Sequence, residues 1–213
     1  MSKSIAQIRN EAAAALSPER KQQWEQFLTP APVAEQAAGL FTPAVEPVRI
    51  LDLGSGTGIL AAMVAAHAPA GSGVTAIEQD TDLAKASEVS IRQVCDDVEV
   101  IAKSVLLDDR FDRVILNPPY KKISPVTIPT ASGGVKITNL YTAFLVIAIQ
   151  ALAERGECVA IIPRSWMNGE YFKDFRKWLL DECSLDVLAV YGSRQDHFKD
   201  MDILQEIMLL KVS

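Results

Sequence analysis

Two short stretches of this chain hold residue types whose chemistry is complementary. The first is Asn117-Pro118-Pro119-Tyr120, which closes an apolar run at 113–117. An amino group on a conjugated ring, such as that of adenine, is a poor nucleophile because its lone pair is delocalised into the ring. The side-chain oxygen of Asn117 can accept one of its N–H hydrogens and the Pro118 carbonyl can accept the other. Two acceptors set out of the ring plane favour a more tetrahedral nitrogen. They thereby free the lone pair for in-line attack on an electrophilic methyl. Pro118 and Pro119 restrict φ and hold the loop in one shape. Tyr120 offers a flat face on which a target ring can stack. The bland alternative is a Pro-Pro turn that ends a strand, with Tyr120 covering the core.

The second stretch weighs against that alternative. Asp52-Leu53-Gly54-Ser55-Gly56-Thr57-Gly58 joins an apolar run at 48–53 to a helical one at 59–67. A strand, a glycine turn and a helix N-terminus let backbone approach a ligand closely. The spacing is Gly-x-Gly-x-Gly, which departs from the dinucleotide fingerprint Gly-x-Gly-x-x-Gly at the third glycine. Asp52, in the strand before the glycines, suits a ligand with an ammonium or sulfonium group better than a pyrophosphate. Roughly 20 residues on, the next apolar run ends in Glu78, whose carboxylate can accept hydrogen bonds from both hydroxyls of a ribose. A cationic nucleoside beside a conjugated amino group describes methyl transfer from S-adenosylmethionine.

The elements that must position these loops follow from periodicity. Apolar runs suited to buried strands lie at 48–53, 74–78, 98–102, 113–117, 158–162, 185–190 and 204–212. Helical stretches are expected at 33–40, 59–67, 83–95, 140–155 and 171–181. Such alternation predicts an α/β domain with a mainly parallel sheet and helices on both faces. No helix separates the last two strands clearly, so the final one is expected to run antiparallel as an inserted strand. Residues 4–26 read as helical, broken at Ser17-Pro18, where Ser17 can cap a second helix. The segment 123–136, with Gly133-Gly134, reads as a mobile loop. Trp24, Trp166 and Trp178 are expected in the core, and His197 in solvent.

Composition sets the class. The 213 residues are enough for one sizeable buried core, and 49% apolar content fits a globular protein. No apolar run is long enough to span a bilayer, and the N-terminus is polar, so no membrane association or export is expected. Cys95, Cys158 and Cys183 are widely spaced and odd in number, which suggests reduced thiols in the cytoplasm. There is no CxxC pair and His67 and His197 lie far apart, so no metal site is expected. The net charge of −6 makes the chain by itself a poor nucleic-acid binder.

Taken together, these residues resemble the gamma-type amino-DNA methyltransferases, restriction–modification methylases that modify adenine N6. The resemblance covers roughly residues 20–213. Upstream, Gln26-Phe27-Leu28-Thr29-Pro30 looks like that family's N-terminal cofactor motif, in which Thr29 and Pro30 would meet the methionine end of the cofactor. Its place before the glycine loop is what defines the gamma arrangement. Asp52, Gly54, Gly56 and Gly58 match the main cofactor motif, Glu78 the ribose carboxylate, and Asn117 to Tyr120 the catalytic motif, with Asn117 also bordering the cofactor. Asn139-Leu140-Tyr141, Ile161-Ile162-Pro163-Arg164-Ser165-Trp166 and the closing Phe198 to Glu206 segment look familial too. Phe198 matches the aromatic residue that stacks on a flipped base.

The resemblance implies a Rossmann-like S-adenosylmethionine-dependent methyltransferase fold, with a mostly parallel seven-stranded sheet and an antiparallel last strand. It implies a helical segment at 1–26, a catalytic domain at 27–213, and double-stranded DNA with a flipped adenine as substrate. Lys121 and Lys122 are candidates to meet a backbone phosphate. Two departures stand out. Family members carry an acidic residue after the third strand to meet the cofactor adenine, and here Ser104 is near that place, with Asp108 and Asp109 as substitutes. Members also continue into a target-recognition domain, whereas this chain stops at Ser213, so recognition is expected from a separate or missing domain. A restriction endonuclease is among the candidate partners. The alternatives are methylation of RNA adenine or of a protein glutamine amide, which is also flat and conjugated, and a cofactor-binding subunit without activity.

Overall fold

Nine strands and six helices are described by the computed structural model, which covers residues 3–16, 28–102, 109–191 and 206–213. The strands are β1 (Arg49–Leu53), β2 (Gly73–Ile77), β3 (Asp97–Ile101), β4 (Phe111–Leu116), β5 (Lys122–Thr130), β6 (Gly133–Asn139), β7 (Leu152–Pro163), β8 (Leu185–Val190) and β9 (Ile207–Val212). The helices are α1 (Ile5–Ala15), α2 (Ala31–Ala38), α3 (Ile59–Ala66), α4 (Thr81–Ile91), α5 (Leu140–Gln150) and α6 (Lys173–Glu182).

Seven strands form one sheet in the order β3-β2-β1-β4-β7-β9-β8. The pairs β1–β2, β2–β3, β1–β4 and β4–β7 are parallel. β9 enters between β7 and β8 and runs antiparallel to both, so the expected inserted strand is present. The central strands are near-continuous apolar runs because a parallel sheet is covered on both faces. Ile50, Leu51, Val114, Ile115, Leu116, Val159, Ala160, Ile161 and Ile162 are all fully buried. Most residues of α3 are buried as well, as expected of a helix that is apolar all round. Trp166 and Trp178 belong to this core, whereas Trp24 and His197 lie outside the described residues.

Parallel order reverses at β1, with β2 on one side and β4 on the other. Ligands of open α/β sheets collect at the strand C-termini beside such a switch point. The chain that leads there is pinned from below. Glu157 of β7 accepts from the Thr42 backbone N–H (2.9 Å) and pairs with Lys211 of β9 (2.7 Å). Burial raises the Glu157 carboxyl pKa, but the bonds from Lys211 and Thr42 outweigh it and hold it below the ordinary value.

Two expectations need correction. The segment 123–136 is not an irregular loop but the arm of an antiparallel hairpin, β5–β6, closed by a turn at Ala131-Ser132 with Gly133 at φ 126°. Its base is fastened by the Leu140 N–H donating to the Lys121 carbonyl (2.9 Å). Val135 and Ile137 alternate inward from β6 and are buried, and this tertiary burial is what stabilises strands interrupted by Pro125 and Pro129. The helix expected over 140–155 ends at Gln150. There the Phe111 N–H takes the Ala151 carbonyl (2.9 Å) and Leu152 registers with Phe111, so sheet pairing replaces the last helical turn. Arg155 at φ 62° and Gly156 absorb the register shift, and a Cβ at Gly156 would stand 2.9 Å from the Phe111 carbonyl oxygen.

Candidate active site

The glycine turn after β1 is built on left-handed backbone. Gly54, Gly56 and Gly58 have φ of 84°, 53° and 75°. The N–H groups of Gly54 and Ser55 both donate to the Ile77 carbonyl (2.9 Å each), which ties the turn to the end of β2. Gly58 is the N-cap of α3, and a Cβ there would lie 2.7–2.9 Å from the side chain and backbone of Ser87 in α4. Gly58→Ala is therefore expected to cost roughly 2–5 kcal/mol, from left-handed strain plus a clash with backbone that cannot yield. Chemical denaturation checks this, with Gly39→Ala as control, since Gly39 is right-handed (φ −67°) and has 3.4 Å of room.

Beneath the turn, Asp52 is 0% exposed. Its Oδ2 accepts from the Ala61 N–H in the first turn of α3 (3.1 Å), serving a helix start that Gly58 cannot cap with a side chain. Its Oδ1 has no hydrogen-bond partner among the described residues. Burial pushes the Asp52 carboxyl up to about 7, against the pull of the Ala61 N–H, and the charge of Glu78 adds to the rise. Glu78, just past β2, accepts from the Gly56 N–H at Oε2 (2.8 Å) and from the Asp80 N–H at Oε1 (2.9 Å). Burial raises its pKa too, with the N–H groups of Asp80, Gly56 and Gln79 opposing and the charge of Asp80 adding to the rise. With backbone N–H groups of Gly56, Gln79 and Asp80 around it, the carboxylate still has acceptor capacity for a ribose hydroxyl.

The register Asp52↔Ile115 places the end of β4 beside the glycine turn. Asn117 is half-buried there. Its Nδ2 donates to the Thr29 hydroxyl (3.0 Å), and its Oδ1 accepts from the Tyr120 hydroxyl (2.9 Å). Thr29 is 4% exposed and precedes Pro30, the N-cap residue of α2. A Cβ on Gly56 would meet the Leu28 side chain at 3.2 Å, so this stretch overlies the turn. Pro118 is buried and Pro119 half-buried. The structure thus gathers Thr29, Pro30, Asp52, Gly54, Gly56, Gly58, Glu78 and Asn117 at one end of the sheet.

Tyr120 lies just beyond, at the end of the same loop. Its ring is 6% exposed and stands at 88° to that of Tyr141, with centroids 6.3 Å apart. Its hydroxyl also reaches the Ile161 carbonyl (3.3 Å), and burial drives its pKa well above the ordinary value. Nothing in the spacing of the sequence marks Ile161 or Tyr141 as partners of Tyr120, although both lie in segments that look familial. Phe198 and Ser104 lie outside the described residues.

The strand order, the reversed β9 and the glycine turn at the switch point are those of the S-adenosylmethionine-dependent methyltransferase fold. S-adenosylmethionine is the cofactor this fold carries, and the residues present fit it: negative charge beneath the turn for a cation, and a carboxylate at the end of β2 for a ribose. A class I S-adenosylmethionine-dependent methyltransferase assignment accompanies a solved Listeria monocytogenes structure that superposes at TM-score 0.70 with 15% identity, over 98% of this chain and 68% of that one. Residues 72–198 match the Eco57I restriction-modification methylase family, and the chain belongs to that family. Among curated relatives, the type II methyltransferase M.PstI of Providencia stuartii is 36% identical over 95% of this chain and 45% of its own length. The type II methyltransferase M.BsuBI of Bacillus subtilis is 31% identical over 90% of this chain and 44% of its own. The chain thus spans under half the length of these relatives. Among the described residues, no helix is long and apolar enough to cross a membrane.

Proposed function

We propose that this chain is the catalytic part of an adenine-N6 DNA methyltransferase of a restriction–modification or related defence system. The observation that carries the reading is the placement of Asn117 beside the glycine turn, its Nδ2 anchored on Thr29 and its Oδ1 set as an acceptor. Adenine in a duplex is paired and stacked, so the target base leaves the helix before its amino group can reach Asn117. Asn117 Oδ1 and the Pro118 carbonyl each accept one amino N–H and hold the nitrogen pyramidal. Glu78 holds the ribose of the cofactor, Asp52 supplies negative potential under the turn, and Thr29 and Pro30 border the methionine end. S-adenosylmethionine supplies an electrophilic methyl when bound. Asn117 and Pro118 would hold the nitrogen lone pair toward that methyl, and the amino proton, made acidic by methylation, would leave to water.

Phe198, Ser104, Lys121 and Lys122 keep the roles given them above as part of this proposal, as do a separate recognition domain and an endonuclease partner. The similarity to type II methyltransferases supports DNA over RNA or protein. The test supplies labelled S-adenosylmethionine with duplex DNA, RNA and protein side by side, using the full-length protein, and analyses the methylated product. N6-methyladenine in DNA is expected. Label confined to RNA or to glutamine would overturn the substrate, and no label in any of them would overturn the activity.

A further inference from the structure

We propose that Tyr171 and Lys122 form a clasp for a backbone phosphate of the target DNA strand, with the Tyr171 ring holding the Lys122 ammonium in place. The inference rests on the DNA-methyltransferase reading. Two tethers set the pair at the rim of the catalytic loop. Lys122 opens β5, two residues after Tyr120. Tyr171 precedes Phe172, whose ring centroid is 5.8 Å from that of Tyr141, and Tyr141 in turn stands 6.3 Å from Tyr120. The tethers converge: Lys122 Nζ lies over the face of the Tyr171 ring, 5.3 Å from its centroid. An ammonium is attracted to the negative face of an aromatic ring.

Core packing does not account for Tyr171. It is 75% exposed, whereas Trp166, Phe175 and Trp178 on either side of it in the sequence are buried. Charge points to the partner. Residues 121–139 hold Lys121, Lys122 and Lys136, all exposed, and no Asp or Glu, in a chain of net charge −6. Glu170, the acid next to the ring, lies 3.9 Å from Lys173, which offsets its charge. A positive strip that starts where the catalytic loop ends fits the anionic backbone of the strand that carries the target base. An ammonium has three N–H donors, and the ring covers one side of it, so the others can reach phosphate oxygens. The ring also restricts the long lysine stem before binding, which lessens the entropy lost when the phosphate arrives. Tyr171 is then a positioning residue that acts through Lys122.

The test measures the affinity of the full-length protein for labelled duplex DNA by fluorescence anisotropy over a series of salt concentrations. The variants are Lys122→Gln, Tyr171→Ala, Tyr171→Phe and the double variant Lys122→Gln/Tyr171→Ala. Lys122→Gln should weaken binding severalfold on any sequence and reduce the slope of log K against log salt by about 0.9, the signature of one lost phosphate contact. Tyr171→Ala should weaken binding about threefold and keep the wild-type slope, because the charge remains while its support is gone. Tyr171→Phe should bind as the wild type does, since it keeps the ring face. In the Lys122→Gln background, Tyr171→Ala should add nothing. Calorimetric affinity for S-adenosylmethionine should be that of the wild type throughout, which separates the clasp from damage to the fold. Unchanged DNA affinity in Lys122→Gln or Tyr171→Ala, or a Tyr171→Ala loss of equal size with and without Lys122, would overturn the clasp. Tyr171→Phe as harmful as Tyr171→Ala would overturn the role of the ring. These outcomes, in a wild type that methylates DNA, remove this inference alone; a wild type that acts on RNA and not on DNA removes the functional reading and this inference with it.

Discussion

Asn117→Ala is expected to lower kcat for methyl transfer by at least about 10²–10³-fold, the scale set by removing one preorganised group from a reacting centre. Binding of S-adenosylmethionine should change little. The side chain ends β4 with its Oδ1 directed to Tyr120 and its Nδ2 to Thr29, and neither bond involves the glycine turn or Glu78. The loss should fall on kcat more than on KM, because the acceptor interaction strengthens as the nitrogen becomes tetrahedral. The fold should survive, since the residue is only half-buried and lies past the last paired position of β4. Single-turnover methylation and calorimetric titration of the cofactor, on the same preparation, check both halves. Near-normal turnover would remove Asn117 from the reaction.

Asp52→Asn should separate stability from cofactor affinity. Asp52 is fully buried, with a carboxyl pKa raised to about 7 from an ordinary 3.8. A group whose pKa is raised by folding contributes stability in full below its unfolded value and loses it as pH rises through the folded value. The wild type without cofactor should therefore weaken between about pH 4 and pH 7 and level off above. Asn keeps an acceptor for the Ala61 N–H and removes the buried charge. It also sets an amide N–H2 where Oδ1 has no partner among the described residues, which costs about 1–3 kcal/mol. Roughly three pKa units of relief at about 1.36 kcal/mol each exceed that cost. The variant should gain on the order of 1–3 kcal/mol above pH 7, or about 2–10 °C in Tm, and nothing at pH 5.

S-adenosylmethionine is a cation, and it favours the ionised Asp52. Cofactor binding to the wild type should release a proton near pH 7, seen as a dependence of calorimetric heat on the ionisation enthalpy of the buffer. In Asp52→Asn that proton should vanish and affinity at pH 8 should fall about tenfold, in proportion to the lost charge interaction. A variant without a stability gain at pH 8 would mean that Asp52 is not held as an unfavourable buried charge.

How much of this was legible in the sequence varies by kind of residue. Local chemistry was readable wherever it depends on backbone freedom. Gly54, Gly56 and Gly58 announced left-handed turns, and Glu78 announced itself by closing a strand at a nucleoside-binding distance from them. Strand positions were readable because a doubly covered parallel strand is mostly apolar, as Ile50-Leu51 and Val114 to Leu116 are. The β5–β6 hairpin was not. Its β-branched residues sit among Pro125, Pro129 and two glycines, and only burial of Val135 and Ile137 makes them strands. The limits of α5 were not readable either, since Leu152-Ala153-Glu154-Arg155 is a good helical sequence until β4 claims it.

The sequence by itself determined the seven strands of the main sheet, most of the helices between them and the glycine turn, because each depends on periodicity or on a single residue's backbone freedom. Only the tertiary structure decided what the groups at the site do to one another. Parallel pairing of β1 with β4 brings Asp52 level with Ile115, and so Asn117 beside the turn, across more than sixty residues of chain. Folding sets the Tyr120 hydroxyl 2.9 Å from Asn117 Oδ1 and its ring beside that of Tyr141. Burial leaves Asp52 with one oxygen bound and one without a hydrogen-bond partner among the described residues. Hydrogen-bond direction, dielectric surroundings and the placing of a ring are properties of three-dimensional neighbourhoods, and no spacing along a chain encodes them one residue at a time.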